Sequence, residues 1–256
     1  MSRCTHLIHW HVAVLAVLTC FTAPAQSQAN NDTNLQMSLG YEYRVGIKEH
    51  LRGFGDFVYE ERYHPHLLFG SQNQIGTTGG VSYDLGKRSR IEGGLGLSYI
   101  HRQDLLDTFE TRLWQAATLD WPESLGLVRR YVLHHRFRLE ERFRSTGDWS
   151  FALRFRYRVA FAFPINRYTV EARAFYIPLK AEFFVPLGDD SEEIFTKQVL
   201  FSAGLGYVFD KSWTIELRYA RQRLRDTIGA DLQTTDHFIE FRLKSSFQID
   251  DLLKGR

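Results

Sequence analysis

Residues 35–47 alternate strictly between two sets. Leu35, Met37, Leu39, Tyr41, Tyr43, Val45 and Ile47 fall on one side, and Gln36, Ser38, Gly40, Glu42, Arg44 and Gly46 on the other. A period of two separates the sides of a strand, whereas a helix would mix them. The pattern returns in 89–101, where Ile91, Leu95, Leu97 and Tyr99 oppose Arg90, Glu92, Gly94, Gly96 and Ser98. It returns again in 149–163, where the odd positions from Trp149 to Phe163 are mostly large and apolar while Arg154, Arg156 and Arg158 fill the even ones. Eleven candidate strands result: 35–47, 53–64, 74–86, 89–101, 109–121, 129–144, 149–163, 168–186, 196–209, 212–224 and 236–247.

Apolar rows this long match the height of a membrane's apolar band, about 25 Å, crossed by tilted strands. Short connections (86–89, 164–166 and 210–212) interleave with longer polar ones (102–108, 188–195 and 225–236). That is the arrangement of an all-β, antiparallel up-and-down transmembrane barrel, with the long loops outside the cell. A soluble β-sandwich also alternates, but its polar face seldom sets Arg beside Arg beside Glu. Bacterial single-chain barrels have even strand numbers, so eleven candidates imply one misassignment. The weakest are 53–64, which alternates poorly, and 168–186, whose polar phase slips near Pro178 in a way a bulge would explain. Twelve strands are favoured and ten are possible.

The N-terminus supplies a compartment. Arg3 precedes an apolar run, Val12 to Phe21, and then a small-residue stretch from Ala23 to Ala29. This is the layout of a secretory signal peptide spanning 1–29, cleaved near 25 or 29. A barrel would then occupy 30–247, with 248–256 as a periplasmic tail. Cys4 and Cys20 are the only cysteines, so the mature chain would hold no disulfide, thiolate metal site or cysteine nucleophile. A formal net charge of +2 gives no global signal for nucleic acid, and 20 Phe and 12 Tyr against 6 Pro favour strands.

The most unusual stretch is 136–143, followed after a short loop by 154–158. With their aromatics facing lipid, Arg136, Arg138, Glu140, Arg142, Arg154, Arg156 and Arg158 would project into the barrel. Arginine on the lipid face near the midplane would cost about 2–4 kcal/mol. Glu182, Glu216, Arg218, Glu240 and Arg242 are expected to face inward on later strands, as are Glu42, Glu60, Glu92 and Glu110. Two readings follow: an Arg/Glu network that fills the lumen and fixes register, or an anion-attracting channel or acidic-ligand site, since guanidinium binds carboxylate and phosphate bidentately.

Leu113-Trp114-Gln115, then RFRLEER at 136–142 and RFRYR at 154–158, resemble an uncharacterised domain-of-unknown-function family of bacterial outer-membrane β-barrels. Lys180-Ala181-Glu182-Phe183-Phe184 and Gly204-Leu205-Gly206-Tyr207 match it in order. The resemblance covers about 109–247 well and the N-terminal third loosely. It implies a barrel in the outer membrane of a Gram-negative bacterium, with outer-membrane lipid and barrel-assembly machinery as partners. It carries no catalytic residues.

Enzymatic readings fare poorly. Ser98 and His101, with Asp104 and Asp107 nearby, could suggest a lipid hydrolase, but alternation sends Ser98 and His101 to opposite faces. His64 and His66 flank Pro65 in a loop and would more ordinarily be solvated than metal-bound. Gly93-Gly94-x-Gly96 precedes no helix and is no nucleotide loop. The expectation is therefore a non-enzymatic barrel with no cofactor and no metal, either charge-filled or a narrow channel. A soluble periplasmic β-sandwich and an outer-membrane lipid hydrolase are the alternatives.

Overall fold

The computed structural model describes residues 34–63, 70–103, 105–121, 133–188, 197–225 and 233–249. The signal segment, the paired histidines 64 and 66, Asp104 and the C-terminal tail from 250 lie outside the described residues. Eleven strands are described: β1 (Asn34–Gly46), β2 (Leu51–Tyr63), β3 (Gly70–Asp84), β4 (Ser89–Arg102), β5 (Thr108–Trp121), β6 (Leu133–Thr146), β7 (Asp148–Pro164), β8 (Phe175–Leu187), β9 (Lys197–Val208), β10 (Trp213–Arg225) and β11 (Gln233–Gln248). Each pairs with its sequence neighbours, and β11 returns to β1, closing one barrel.

The expected twelve or ten strands are corrected to eleven. Parity does not force out a strand, because β1 and β11 run parallel, from Asn34↔Asp236 to Gly46↔Gln248. Direction alternates around the ring, so an odd number leaves one parallel seam. It also puts the start of β1 and the end of β11 on opposite rims, called here the N rim and the C rim.

Both doubtful strands are present. β2 alternates poorly because Phe54 and Val58 turn inward while Gly53 and Gly55 turn outward, Gly55 lying beneath the Tyr43 ring. The phase slip near Pro178 is no bulge: the register with β7 runs without a break from Tyr176 to Leu187. It arises because 168–174 belongs to the connection, where Asn166 accepts from the Phe175 amide (2.7 Å) and donates to the Arg173 carbonyl (3.1 Å). Connection length does not sort the rims as expected either. The C rim carries the short turns 47–50, 85–88 and 209–212 but also 165–174, while the N rim holds the tightest turn, Gly147 at φ +90°.

The barrel is inside-out relative to a soluble domain. Leu39, Val81 and Leu217 are more than half exposed on its outer surface, whereas Glu140 and Glu182 are essentially inaccessible within it. Large apolar side chains cover the outside all round, from Met37 through Ile91 and Phe151 to Phe241. Aromatics gather toward both ends: Tyr99, Phe109 and Trp149 near the N rim, and Tyr83, Trp121 and Trp213 near the C rim. That banding suits an apolar slab with two polar interfaces.

Candidate functional site: the charged lumen

All twelve residues singled out for the interior point into it, through one parity. Even positions face the lumen throughout β6, β7 and β10, and the register carries that parity from strand to strand. On β6 and β7 it places like charges directly opposite one another: Arg136↔Arg158 and Arg138↔Arg156. Arg112↔Arg142 adds a third such pair between β5 and β6. Facing like charges are destabilising in a sheet unless neutralised.

Neutralisation comes from carboxylates set among them. Glu110 takes Arg112 (2.5 Å), Arg142 and Arg144 (3.2 Å). Glu140 takes Arg154 (2.6 Å), Arg138 (3.1 Å) and Arg156 (3.7 Å). Glu182 takes Arg156, Arg158 (2.6 Å) and Lys180 (3.6 Å). Eight cations thus share three carboxylates on this wall. Arg136 looks to β4 instead, reaching Glu92 at 2.7 Å.

The opposite wall is balanced. Glu216 pairs with Arg218 and Lys244 (2.7 Å), Glu240 with Arg242 (3.4 Å) and Arg218 (3.6 Å), and Glu42 with Arg242 (2.9 Å). Tyr176 adds a hydrogen bond of 2.5 Å to Glu216. At the seam Asp236 accepts from Gln36 (3.1 Å) and Gln222 (2.9 Å), tying β1, β10 and β11 together.

Sequence reasoning missed the interior aromatics. Trp114 faces inward with Arg138 over its ring at 4.1 Å and Arg136 at 5.1 Å. Phe184 lies beneath Arg154 (5.0 Å) and Arg156 (4.9 Å). Phe184 also joins Leu200, Ala220 and Phe238 in a small apolar cluster. The signal was available: Trp114 shares the parity of Glu110 and Arg112 on its own strand, so either all three face lipid or none does.

Two cavities flank this belt. One, about 570 Å³, is lined toward the C rim by Arg44, Arg90, Arg136, Arg158 and Lys180 and by carboxylates such as Glu42, Glu92 and Glu216, and extends along β2–β5 to Glu60 and Glu110 near the N rim. The other, about 310 Å³, lies toward the N rim among Arg62, Arg142, Arg144 and Arg154. Glu140, Glu182, Trp114 and Phe238 line neither and stand between them. The cavities come closest along β3–β5, where Gln74, Ser98, Glu110 and Arg112 border both.

The hydrolase pair does not assemble. Ser98 borders the lumen, while His101 is exposed on the outer side and meets Asp107 at 2.8 Å. The Tyr99 hydroxyl and the His101 ring hold the Asp107 carboxyl below its ordinary range.

A family described as a protein of unknown function, DUF2490, matches residues 28–233. The chain belongs to this family. The DUF2490 match takes in β1–β4, which the sequence motifs covered only loosely, and stops as β11 begins. No curated protein matches the sequence. Among solved structures, the β domain of the Bordetella autotransporter BrkA is similar at 11% identity, over 73% of this chain and 80% of that one, with a TM-score of 0.44. An anion-selective porin from Comamonas acidovorans is similar at 14% identity, over 76% of this chain and 55% of that one, with a TM-score of 0.34. Neither likeness is close enough to carry function across.

Proposed function

We propose that this chain is an outer-membrane β-barrel whose lumen is a charge-filled partition between two basic vestibules, not an open diffusion pore. In this reading residues 1–29 are a cleaved signal peptide, 30–247 the inserted barrel and 248–256 a periplasmic tail. Among the described residues no helix is long and apolar enough to cross a membrane. The apolar exterior, closed ring and aromatic banding support insertion. Outer-membrane lipid and the barrel-assembly machinery are the partners this requires.

One observation carries the partition. Glu140 and Glu182 have no meaningful exposure, and each is held by three cations at mid-barrel between the cavities. A buried carboxylate so enclosed fixes its neighbours, because freeing any one leaves charge unpaired in a dry site. Heat-modifiable migration of the protein from the outer-membrane fraction checks insertion, and recovery in the soluble periplasmic fraction refutes it. Planar-bilayer recording checks the partition: wild-type protein is expected to stay silent at porin-like conductance, and steady ohmic steps would refute a sealed lumen.

A further inference from the structure

The basic wall holds more positive charge than a structural network needs. A network that only filled the lumen would match charge for charge, as the Glu216–Arg218–Glu240–Arg242 wall does. On the β5–β8 wall each carboxylate instead serves three cations, and three arginine pairs sit directly across from each other. This wall borders the larger cavity: Arg136, paired with Glu92, and Arg158, paired with Glu182, are cross-strand neighbours, and Thr118 lies between Arg90 and Arg136 in the register of β4, β5 and β6.

A second observation points the same way. Thr118 is 4% exposed and Ser202 3%, both border this cavity, and the hydroxyl oxygen of each is buried without a hydrogen-bond partner. Buried hydroxyls are ordinarily satisfied, and an unmet one is destabilising. Ser202 stands beside Lys180 in the register of β8 and β9. Each orphan hydroxyl is therefore set next to a cation, in a space of about 570 Å³, the size of pocket that takes a small organic ligand.

We propose that the wall of the C-rim cavity binds small, multiply charged oxyanions of the phosphate class at two points, at Thr118 among Arg90, Arg136 and Arg158 and at Ser202 beside Lys180. Guanidinium forks and short hydroxyls are the donors that phosphate oxygens take. The site's rim is basic as well: Arg44 and Arg52 border the cavity and Lys87 and Arg88 occupy the adjoining turn, so anions are drawn toward its mouth. The proposal rests on the same basic wall as the sealed barrel but does not need the lumen sealed. Conductance tests the one and binding the other.

The experiment is calorimetric titration of the full, detergent-folded protein with inorganic pyrophosphate at constant ionic strength. Saturable binding is expected. Thr118→Val and Ser202→Ala should each weaken binding at its own point about tenfold, the loss of one hydrogen bond to a charged group, and Thr118→Ser should restore the first. Neither substitution should lower the unfolding midpoint, since neither hydroxyl has a partner to lose. A lipid headgroup as the natural source would show as displacement of pyrophosphate by phosphatidylglycerol in the micelle; retention would assign the site to soluble phosphate esters. Absence of saturable binding, or wild-type affinity in both hydroxyl variants, would overturn the proposal.

Discussion

At the scale of single residues, Glu140 and Glu182 are the least exposed carboxylates among the described residues. Each is enclosed by three cations, two from β7 and one from its own strand, so neutralising one leaves several guanidinium or ammonium groups uncompensated. Removing one partner from a buried ion pair is worth about 3–5 kcal/mol, and Glu140→Gln should approach that loss. Urea unfolding of the barrel in lipid vesicles would read it as a shifted midpoint; an unshifted midpoint would mean that water or bound anions already neutralise the belt. The inward charges themselves could be read from the sequence, since Arg154, Arg156 and Arg158 alternate with residues that must face lipid. Their pairing could not. Which carboxylate reaches which arginine depends on register, and register is a property of two strands together. Trp114 shows the same limit differently: its parity was legible, but its service as a platform for Arg138 and Arg136 needed the neighbouring strand.

At the scale of elements, the seam is what periodicity could not supply. Eleven candidate segments were legible, although 53–64 alternated poorly and 168–186 slipped in phase, and the assumption of an even count moved the expectation to twelve or ten. Nothing local to β1 or β11 declares whether they meet in parallel, for both alternate as any barrel strand does. The register does declare it, setting Leu39 against Phe241 on the outer face. Leu39→Cys with Phe241→Cys should therefore form an oxidative cross-link in the assembled barrel, since no other cysteine follows residue 20 and paired strands bring α-carbons within disulfide range. A twelfth strand between them would abolish the link. Strands β3 and β4 supply a second test. Gly80 and Gly94 are cross-strand partners, and a Cβ on Gly94 would collide with the Gly79 carbonyl and the Trp114 ring at 2.8 Å. Gly94→Ala should therefore slow or weaken barrel formation, measured by the fraction of heat-modifiable species after refolding, whereas Gly86→Ala, which meets nothing within 4 Å, should leave it unchanged.

At the scale of the whole molecule, the two walls polarise the interior: a basic arc on β5–β8 faces a charge-balanced arc on β10, β11 and β1. An open lumen with this lining would favour anions, because fixed positive charge in a narrow, low-dielectric passage raises the local anion concentration. The belt stands in the way, and thinning it should reveal the preference. Arg138→Ser combined with Arg154→Ser removes two cations from Glu140 while leaving Arg156 as its partner, so the carboxylate is not stranded. Both substitutions also retract long side chains from the space between the cavities. Such a variant should show small conductance steps in planar bilayers where the wild type shows none. The reversal potential in a salt gradient should indicate anion preference from the cations that remain, Arg136, Arg142, Arg156 and Arg158. That preference should fade as salt rises and screening shortens to about 3 Å at 1 M. Cation preference would mean that Glu140 and Glu182, once less crowded, govern the passage, and the basic arc would then have to be read as scaffolding alone.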